Sequence, residues 1–586
     1  MIKKASFFIR NLPPHQLFRL LNVYGLKYGR MRSRLFFKYY SCNWCGGVAL
    51  VVYGLFIIFY KSSGSFMGDE ATYSQIAKES LADNSYLTLH WKGSLWFEKP
   101  PVMIWLTALA FRFWEVSETA AHIFPGIFSI LSATVVYFLG KDFFRSKLAG
   151  FFAGFIFLTS PIIFLYSRVN MLDIPVGMFL ALGLLALWMV SSGDKKWWLV
   201  FWFSAGMAVM IKSAVGLLLF LMLAAAVIIF KKNEVLKNKF FGYGLFAFLA
   251  ICAPWHIYMA AKFGSVFWQD YLGFHILERF TSPILPYPWE GNSWWAYFKL
   301  FFERSGIWIG IFLFGILSIF ASYGLKFKKR SEFFAWIKES ERQWIFLAIW
   351  FLAVFLPFFF ARTKLPNYMV LAYFPLAVFA GGFLNYVFKS RNIKALATLS
   401  FLSLFNFLPS FRLRVSQFGE AHPLLPKIFI RYFSFDDGEL LLSMFLGFLC
   451  VGMFFYFFRR EPKYIAAFSG FVLFGMNTLV PFNPYRNEFI KKLGREISDI
   501  SQNRPVELYA VMKPDQYSFH CVGAFYLPMR SKIENLGERR MEILPKSNSE
   551  ERQLCFIERS FIDSNDITRE AVLSYKEGAV VNCAVE

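Results

Sequence analysis

From Trp44 to about Val480 the chain repeats one pattern, an apolar run of about 17 to 22 residues closed by a short polar or basic turn. At 1.5 Å per residue a helix of that length crosses the ~30 Å hydrocarbon core of a bilayer, and a helix satisfies its own backbone polar groups there. The runs fall near 44–60, 123–140, 148–165, 174–190, 197–211, 213–230, 240–258, 305–325, 344–360, 367–387, 394–408, 439–458 and 464–480. They amount to about thirteen spans, so the expected fold class is an all-α polytopic membrane protein. Only 17% of the 586 residues are charged, against roughly 25% in a soluble domain.

The net charge of +23 does not signal nucleic acid, because Lys and Arg fall in short clusters between apolar runs and not on one patch. The positive-inside rule accounts for them. The first 40 residues carry Lys3, Lys4, Arg10, Arg19, Lys27, Arg30, Arg32, Arg34 and Lys38 with no acid, which predicts a cytoplasmic N-terminus over 1–43 and a retained first anchor. The clusters "GKDFFRSK", "GDKK", "FKKNEVLKNK", "KFKKRSEFF", "KSRNIK" and "RREPK" then land on alternate turns. An odd number of spans over 44–480 leaves residues 61–122 as a first outer loop and 481–586 as an outer tail.

One apolar run tests that count. "PPVMIWLTALAFRFW" (100–114) is only about 22 Å long as a helix, contains Arg112, and would put every later basic cluster outside if it crossed. It reads as a helix lying at the outer interface. In the tail, "NEFIKKLGREISDI" has helical periodicity, while "VELYAVM", "CVGAFYL", "QLCFIERSF" and "AVVNCAVE" read as short strands, predicting a small α/β domain outside the membrane. Cys42 and Cys45 form a CxxC with no second pair, so they make no zinc framework. Among Cys521, Cys555 and Cys583 one disulfide would suit an oxidising compartment, with the pairing left open by the sequence.

Charged residues at span ends are costly to desolvate and mark sites or watery cavities. In this topology Asp69, Glu70, Glu98, Lys99, Arg168, Asp173, Lys212, His275, Glu278, Arg279, Arg362, Lys364 and Tyr368 all fall on the outer side. Each has a bland role when taken alone. Asp69 and Asp173 could cap helices, Glu98 and Lys99 could form a surface ion pair, and Lys212 could snorkel. Against that, Pro100-Pro101 fixes where the Glu98-Lys99 pair points, and Lys212 splits one apolar stretch into two spans with almost no loop.

Taken in order, "DEATYSQIAKE", "FEKPPVMIWLTAL", "SRVNMLDIP", "IKSAVG", "FHILERF" and "ARTKLPNYMVLAYFPLAVFAG" resemble the GT-C class of membrane glycosyltransferases. Within the protein O-mannosyltransferase superfamily the set is most similar to the bacterial 4-amino-4-deoxy-L-arabinose lipid A transferases. "FEKPP" and "KLPNY" are its specific motifs, and the resemblance covers roughly residues 60–390. Thr72 and "KSAVG", which stands where the family has Lys-Gly-Pro, depart from the pattern.

The resemblance implies a GT-C fold in a bacterial inner membrane and an inverting transfer of a sugar from a polyprenyl-phosphate carrier to an acceptor on the outer face. Cleaving the sugar–phosphate bond builds charge on the departing phosphate, which cations must hold. Lys212, Arg279 and Lys364, with the Tyr368 hydroxyl, are the candidates to bind the donor phosphate; Lys99 joins Asp69 and Asp173 in the catalytic set, supported by Glu70 and Glu98. Asp69 would position the acceptor and, for a hydroxyl acceptor, take its proton, with Asp173 as orienting partner. Lipid A phosphate, already ionised, needs no base. Acceptors stay open between lipid A, a Ser or Thr side chain and another glycan. Resemblance to the aminoarabinose transferases further implies zinc at Glu98 and His275; no other cofactor is called for. A transporter is the rival class, but no internal repeat of the kind transporters carry is present.

Overall fold

The computed structural model describes residues 68–230, 237–278, 342–362, 365–390, 488–503 and 506–511, with shorter pieces at 51, 54–55, 66, 281, 301, 308, 312, 315–316, 525–527, 532–535, 552–558, 573–574 and 578–582. The N-terminal 43 residues, Arg279, Lys364, Cys42, Cys45, Cys521, Cys583 and the runs expected at 394–408, 439–458 and 464–480 lie outside the described residues.

The first helix, α1 (Gly68–Asp83), begins on the acidic pair, whose charges suit the positive end of a helix. A hairpin follows, β1 (His90–Trp91) and β2 (Ser94–Leu95), turning through Lys92 and Gly93, both at positive φ as its tight turn requires. Glu79 on α1 binds that turn, accepting from the Lys92 and Gly93 backbone N–H groups at 2.9 and 3.2 Å. Next comes α2 (Val102–Trp114), the run expected at the interface. Its 13 residues are too short to span; Met103, Ile104, Ala108 and Phe111 are buried, whereas Leu109, Phe113 and Trp114 are exposed. A one-sided apolar exposure of this kind suits a helix resting at a membrane surface.

The long apolar helices make a multi-pass membrane protein. Among the described residues six segments are long and apolar enough to cross a bilayer. Ser117 caps α3 (Glu118–Phe143), accepting from the Ala120 N–H at 3.3 Å. The run read as one span at 148–165 is broken instead. It forms α4 (Lys147–Thr159) and α5 (Pro161–Tyr166), because Pro161 cannot donate into the preceding turn and Ser160 before it is extended. Then α6 (Asp173–Ser191) and α7 (Trp197–Lys212) pack side by side.

After Lys212 the backbone turns sharply. Ser213 has φ +44°, a 3-10 turn covers Ser213–Leu217, and α8 (Leu218–Phe230) leaves from it. A Cβ on Gly216 would overlap the backbone of Ala208 and Val209, so the chain folds back onto α7, and only glycine permits that approach. Two helices thus stand on either side of Lys212, and together with the turn between them they make one crossing-length apolar segment, Trp197–Ile229. Asn238 caps α9 (Lys239–Trp268), which is broken at Gly264 and runs on into a π-helical segment, Gln269–Glu278. Two further spans, α10 (Arg342–Phe360) and α11 (Val370–Ser390), close the described bundle, α11 lying against α4.

The tail contains α12 (Glu488–Ile500) and a five-stranded sheet of β3 (Val506–Val511), β4 (Lys532–Asn535), β5 (Arg552–Glu558), β6 (Leu573–Ser574) and β7 (Gly578–Asn582), in the order β4-β3-β5-β7-β6. β3 pairs in parallel with β4 and β5; β7 is antiparallel to β5 and β6. The end of "CVGAFYL", read as a strand, is not one. Phe525 and Tyr526 are helical, and the Phe525 and Leu527 carbonyls accept from Lys78 instead of a neighbouring strand.

Candidate active site

Among the described residues the expected site residues fall into three groups of polar side chains. The first begins at the acidic pair. Asp69 lies half-buried in the first turn of α1, and Glu70 beside it is 1% exposed. Glu70 Oε1 meets His122 Nε2 on α3 at 2.5 Å and accepts the Asn170 backbone N–H at 2.8 Å. Asn170 in turn donates through Nδ2 to Ser74 Oγ at 3.0 Å, and its Oδ1 accepts from Thr107 Oγ1 on α2 at 3.3 Å. Three segments therefore meet at Glu70, the loop before α6 among them, and α2 joins through Asn170. A buried carboxylate is tolerated only when its lone pairs are used in this way.

That loop leads in three residues to the second group. Asp173, 0% exposed, opens α6. Lys212 Nζ, at the end of α7, donates to Asp173 Oδ1 at 2.6 Å, and Asn367 Nδ2 donates to Oδ2 at 3.1 Å. Lys212 also stands 5.5 Å from the Tyr368 ring, within cation–π range, and that ring lies 4.7 Å from Phe358. Asp173 was expected to orient Asp69. Its immediate partners are Lys212 and Asn367. The 3-10 turn Pro366–Met369 sets Asn367 and Tyr368 at the start of α11, and Ser213's strained backbone fixes the far side of Lys212.

The third group surrounds "FEKPP". Lys99 Nζ donates to Glu98 Oε1 at 3.0 Å, and His275 Nδ1 faces the same oxygen at 3.8 Å. The other imidazole nitrogen faces Asp270 Oδ1 at 3.6 Å. Phe97 anchors the loop against Phe263 and Phe267 of α9 at 5.1 and 5.7 Å. Glu98 and His275, far apart in sequence, are thus brought together as a metal site requires. They offer two donors, where a structural or catalytic zinc takes three or four from the protein, and Lys99 shares the Glu98 oxygen. Among the described residues no three His, Cys, Asp or Glu converge on one point.

Arg168 sits half-buried with its guanidinium 4.0 Å from the Phe164 ring, and Arg362 is exposed at the end of α10. Among the members of these groups not singled out from the sequence are His122, Asn170, Asn367 and Asp270. Asn367 and Asn170 stand inside the quoted motifs "KLPNY" and "SRVNMLDIP", and His122 is a lone polar residue in the apolar run "AAHIFPGIF", a signal in its own right.

The family model described as dolichyl-phosphate-mannose-protein mannosyltransferase matches residues 98–258, the stretch from Glu98 through Asp173 and Lys212 to α9. A protein of Aquifex aeolicus is 24% identical over 78% of this chain and 83% of its own. The undecaprenyl phosphate-alpha-4-amino-4-deoxy-L-arabinose arabinosyl transferase of Pseudomonas aeruginosa is 24% identical over 61% of this chain; the match spans 62% of that relative's length. Among solved structures, ArnT from Cupriavidus metallidurans bound to undecaprenyl phosphate superposes with a TM-score of 0.68 at 18% identity, covering 92% of this chain and 98% of that one. Its apo state gives 0.66 over the same shares. The chain therefore has the fold of ArnT and, in its sequence, resembles the GT-C glycosyltransferases of the aminoarabinose transferase kind.

Proposed function

We propose that this protein is an inverting glycosyltransferase that moves a sugar from a polyprenyl-phosphate carrier to lipid A on the outer face of a bacterial inner membrane. The observation that carries the reading is the buried Asp173–Lys212–Asn367 group beside Tyr368, tied through Asn170 to the acidic pair. Asp173 uses one of the three Lys212 protons and leaves two for a phosphate oxygen. Held this way, the ammonium needs no reorganisation as charge develops on the leaving group. Lys99 and the Tyr368 hydroxyl are the further donors of this reading; Arg279 and Lys364, expected from the sequence to join them, lie outside the described residues.

In the transfer an acceptor oxygen attacks the anomeric carbon from the face opposite the carrier. The carbon–oxygen bond to the carrier phosphate breaks, and its electron pair leaves with the phosphate. With a lipid A phosphate as acceptor no proton has to move, and Asp69 orients the sugar and stabilises positive charge at its ring. Glu98 and His275, the zinc ligands the resemblance implies, supply two donors, one shared with Lys99, fewer than zinc takes from a protein, and none of these steps uses a metal. The relatives, aminoarabinose transferases that use undecaprenyl phosphate, support the lipid-linked donor and the aminoarabinose sugar. The family match at 98–258 favours a second reading, a protein hydroxyl as acceptor with Asp69 as its base.

The test uses purified protein in liposomes, with polyprenyl-phosphate sugars one at a time and either lipid A or a Ser/Thr-rich peptide. Mass spectrometry should find the sugar on lipid A, and Asp69→Asn should abolish the product. Sugar on the peptide alone establishes the second reading. Transfer only from a nucleotide sugar rejects both.

A further inference from the structure

Lys78 and Glu118 flank the acidic pair, and the chemistry above uses neither. Lys78, on α1 eight residues after Glu70, donates to the Phe525 carbonyl at 2.9 Å and the Leu527 carbonyl at 3.5 Å, and stands 5.3 Å from the Phe525 ring. Burial pushes this ammonium down to about 8, so the contact is a desolvated one. Glu118, the first residue of α3, receives Lys491 Nζ at 2.7 Å, the Tyr526 hydroxyl at 2.8 Å and an Arg495 guanidinium nitrogen at 3.4 Å. All these partners come from α12 and the segment 525–527.

The segment is built to be gripped. Phe525, Tyr526 and Leu527 are buried, and a Cβ on Gly494 of α12 would stand 2.6 Å from Tyr526 Cβ, so a bare helix surface admits that side chain. Phe66, just before α1, packs edge-on against Phe525 at 4.5 Å and against His122 at 5.8 Å. His122 lies one helical turn after Glu118 on α3, and it holds Glu70. A continuous chain of contacts thus runs from Lys491 and Tyr526 through Glu118 and α3 to His122, Glu70 and the neighbouring Asp69. Lys78 closes the loop by tying the far half of α1 to the same segment.

We infer that α12 and residues 525–527 act as a clamp that sets the position of the acidic pair, with Lys491, Tyr526 and His122 as positioning residues for Asp69. The inference rests on the reading of Asp69 as a member of the transfer site. α1 is a 16-residue, largely polar helix with Asp69 in its first turn, and short helices are marginal and frayed without outside support. An apolar joint alone would hold α1 in place yet let it slide. Directional hydrogen bonds at both ends fix its register against α3, and a displacement of about 1 Å at a reacting group costs on the order of a hundredfold in rate.

The test compares full-length Tyr526→Phe, Lys491→Met, Lys491→Arg and Lys492→Met in the liposome assay, reading kcat, KM for the carrier-linked sugar and amide exchange over 68–74. Tyr526→Phe and Lys491→Met should lower kcat about tenfold or more with KM nearly unchanged, and speed exchange about tenfold. Lys491→Arg, which keeps the ion pair, should restore both. Lys492, whose side chain is 66% exposed on the same helix, should change neither when replaced. Normal exchange in both Tyr526→Phe and Lys491→Met overturns the clamp whatever happens to turnover, and faster exchange with normal kcat overturns its positioning role. If the wild-type protein transfers no sugar, the transferase reading fails, and the exchange comparison alone decides the clamp.

Discussion

Replacing Asp173 by Asn should destabilise the fold far more than the loss of one hydrogen bond would. The carboxylate is fully buried and meets Lys212 at 2.6 Å, with the Lys212 side chain 9% exposed. Taking away the negative partner leaves an ammonium in a low-dielectric interior, which costs about 3 to 5 kcal/mol, whereas a neutral hydrogen bond contributes about 1 kcal/mol. Lys212→Met should cost a similar amount by stranding the carboxylate. The double variant Asp173→Asn, Lys212→Met strands no charge and keeps the volumes close to the original, so it should recover about 3 kcal/mol relative to the sum of the singles. Denaturation of the three variants in the same detergent, followed by tryptophan fluorescence, gives the cycle. Sugar transfer should stay absent in the double variant, because the recovered stability brings back no cation. Additive singles would refute the argument, since they would mean that the two groups do not compensate each other.

Ser213→Gly should raise stability by about 1 kcal/mol, because a non-glycine residue at φ +44° carries about 1 to 3 kcal/mol of strain, partly offset by the greater freedom of glycine when unfolded; thermal denaturation in detergent measures it. Lys78 titrates near 8 in the folded chain and at its ordinary 10.5 when unfolded. Between those values the unfolded state holds the extra proton, so stability rises with pH across that window, by at most about 3 kcal/mol, and below pH 8 the burial cost is fully present. The rise should be missing from Lys78→Met in parallel denaturation series at pH 7 to 10. Ser265→Cys, exposed near the end of α9, should react with an impermeant thiol reagent on intact cells, whereas Ser192→Cys, beside the basic "GDKK" turn, should react only after permeabilisation; the opposite pattern would reverse the expected sidedness.

What the sequence reveals follows the range of the interaction that carries it. The spans, the short helix 102–114 and the division at Lys212 can be read locally, because run length and an isolated charge are local quantities. Asp173, Lys212 and Tyr368 stand out for the same reason, as polar groups where lipid penalises them. That Asp173 pairs with Lys212 and Asn367, not with Asp69, is a matter of helix packing across 39 and 194 positions. The Glu118 cluster is the extreme case. Its partners lie more than 370 residues away, Lys491 in the stretch that reads as a helix and Tyr526 in one that reads as a strand, and nothing local in the sequence ties either to Glu118. The break at Ser160–Pro161 was within reach, since a proline in an apolar run ends a helix; hydropathy averaged over the whole run conceals it.

The turn that reverses the chain after Lys212 also decides which way round the ion pair can be built. Lys212 is the last residue of α7, next to that helix's unsatisfied carbonyls, and Asp173 is the first of α6, next to its unsatisfied N–H groups. Each charge therefore sits at the helix end whose partial charge opposes it, an arrangement that contributes about 0.3 to 1 kcal/mol per residue in exposed helices and up to ~2 when partly buried. An exchanged pair, Asp173→Lys with Lys212→Asp, would keep net charge and contact but place both groups against like polarity. The site thus has a handedness of charge, and the same two residues in the opposite order would not rebuild it.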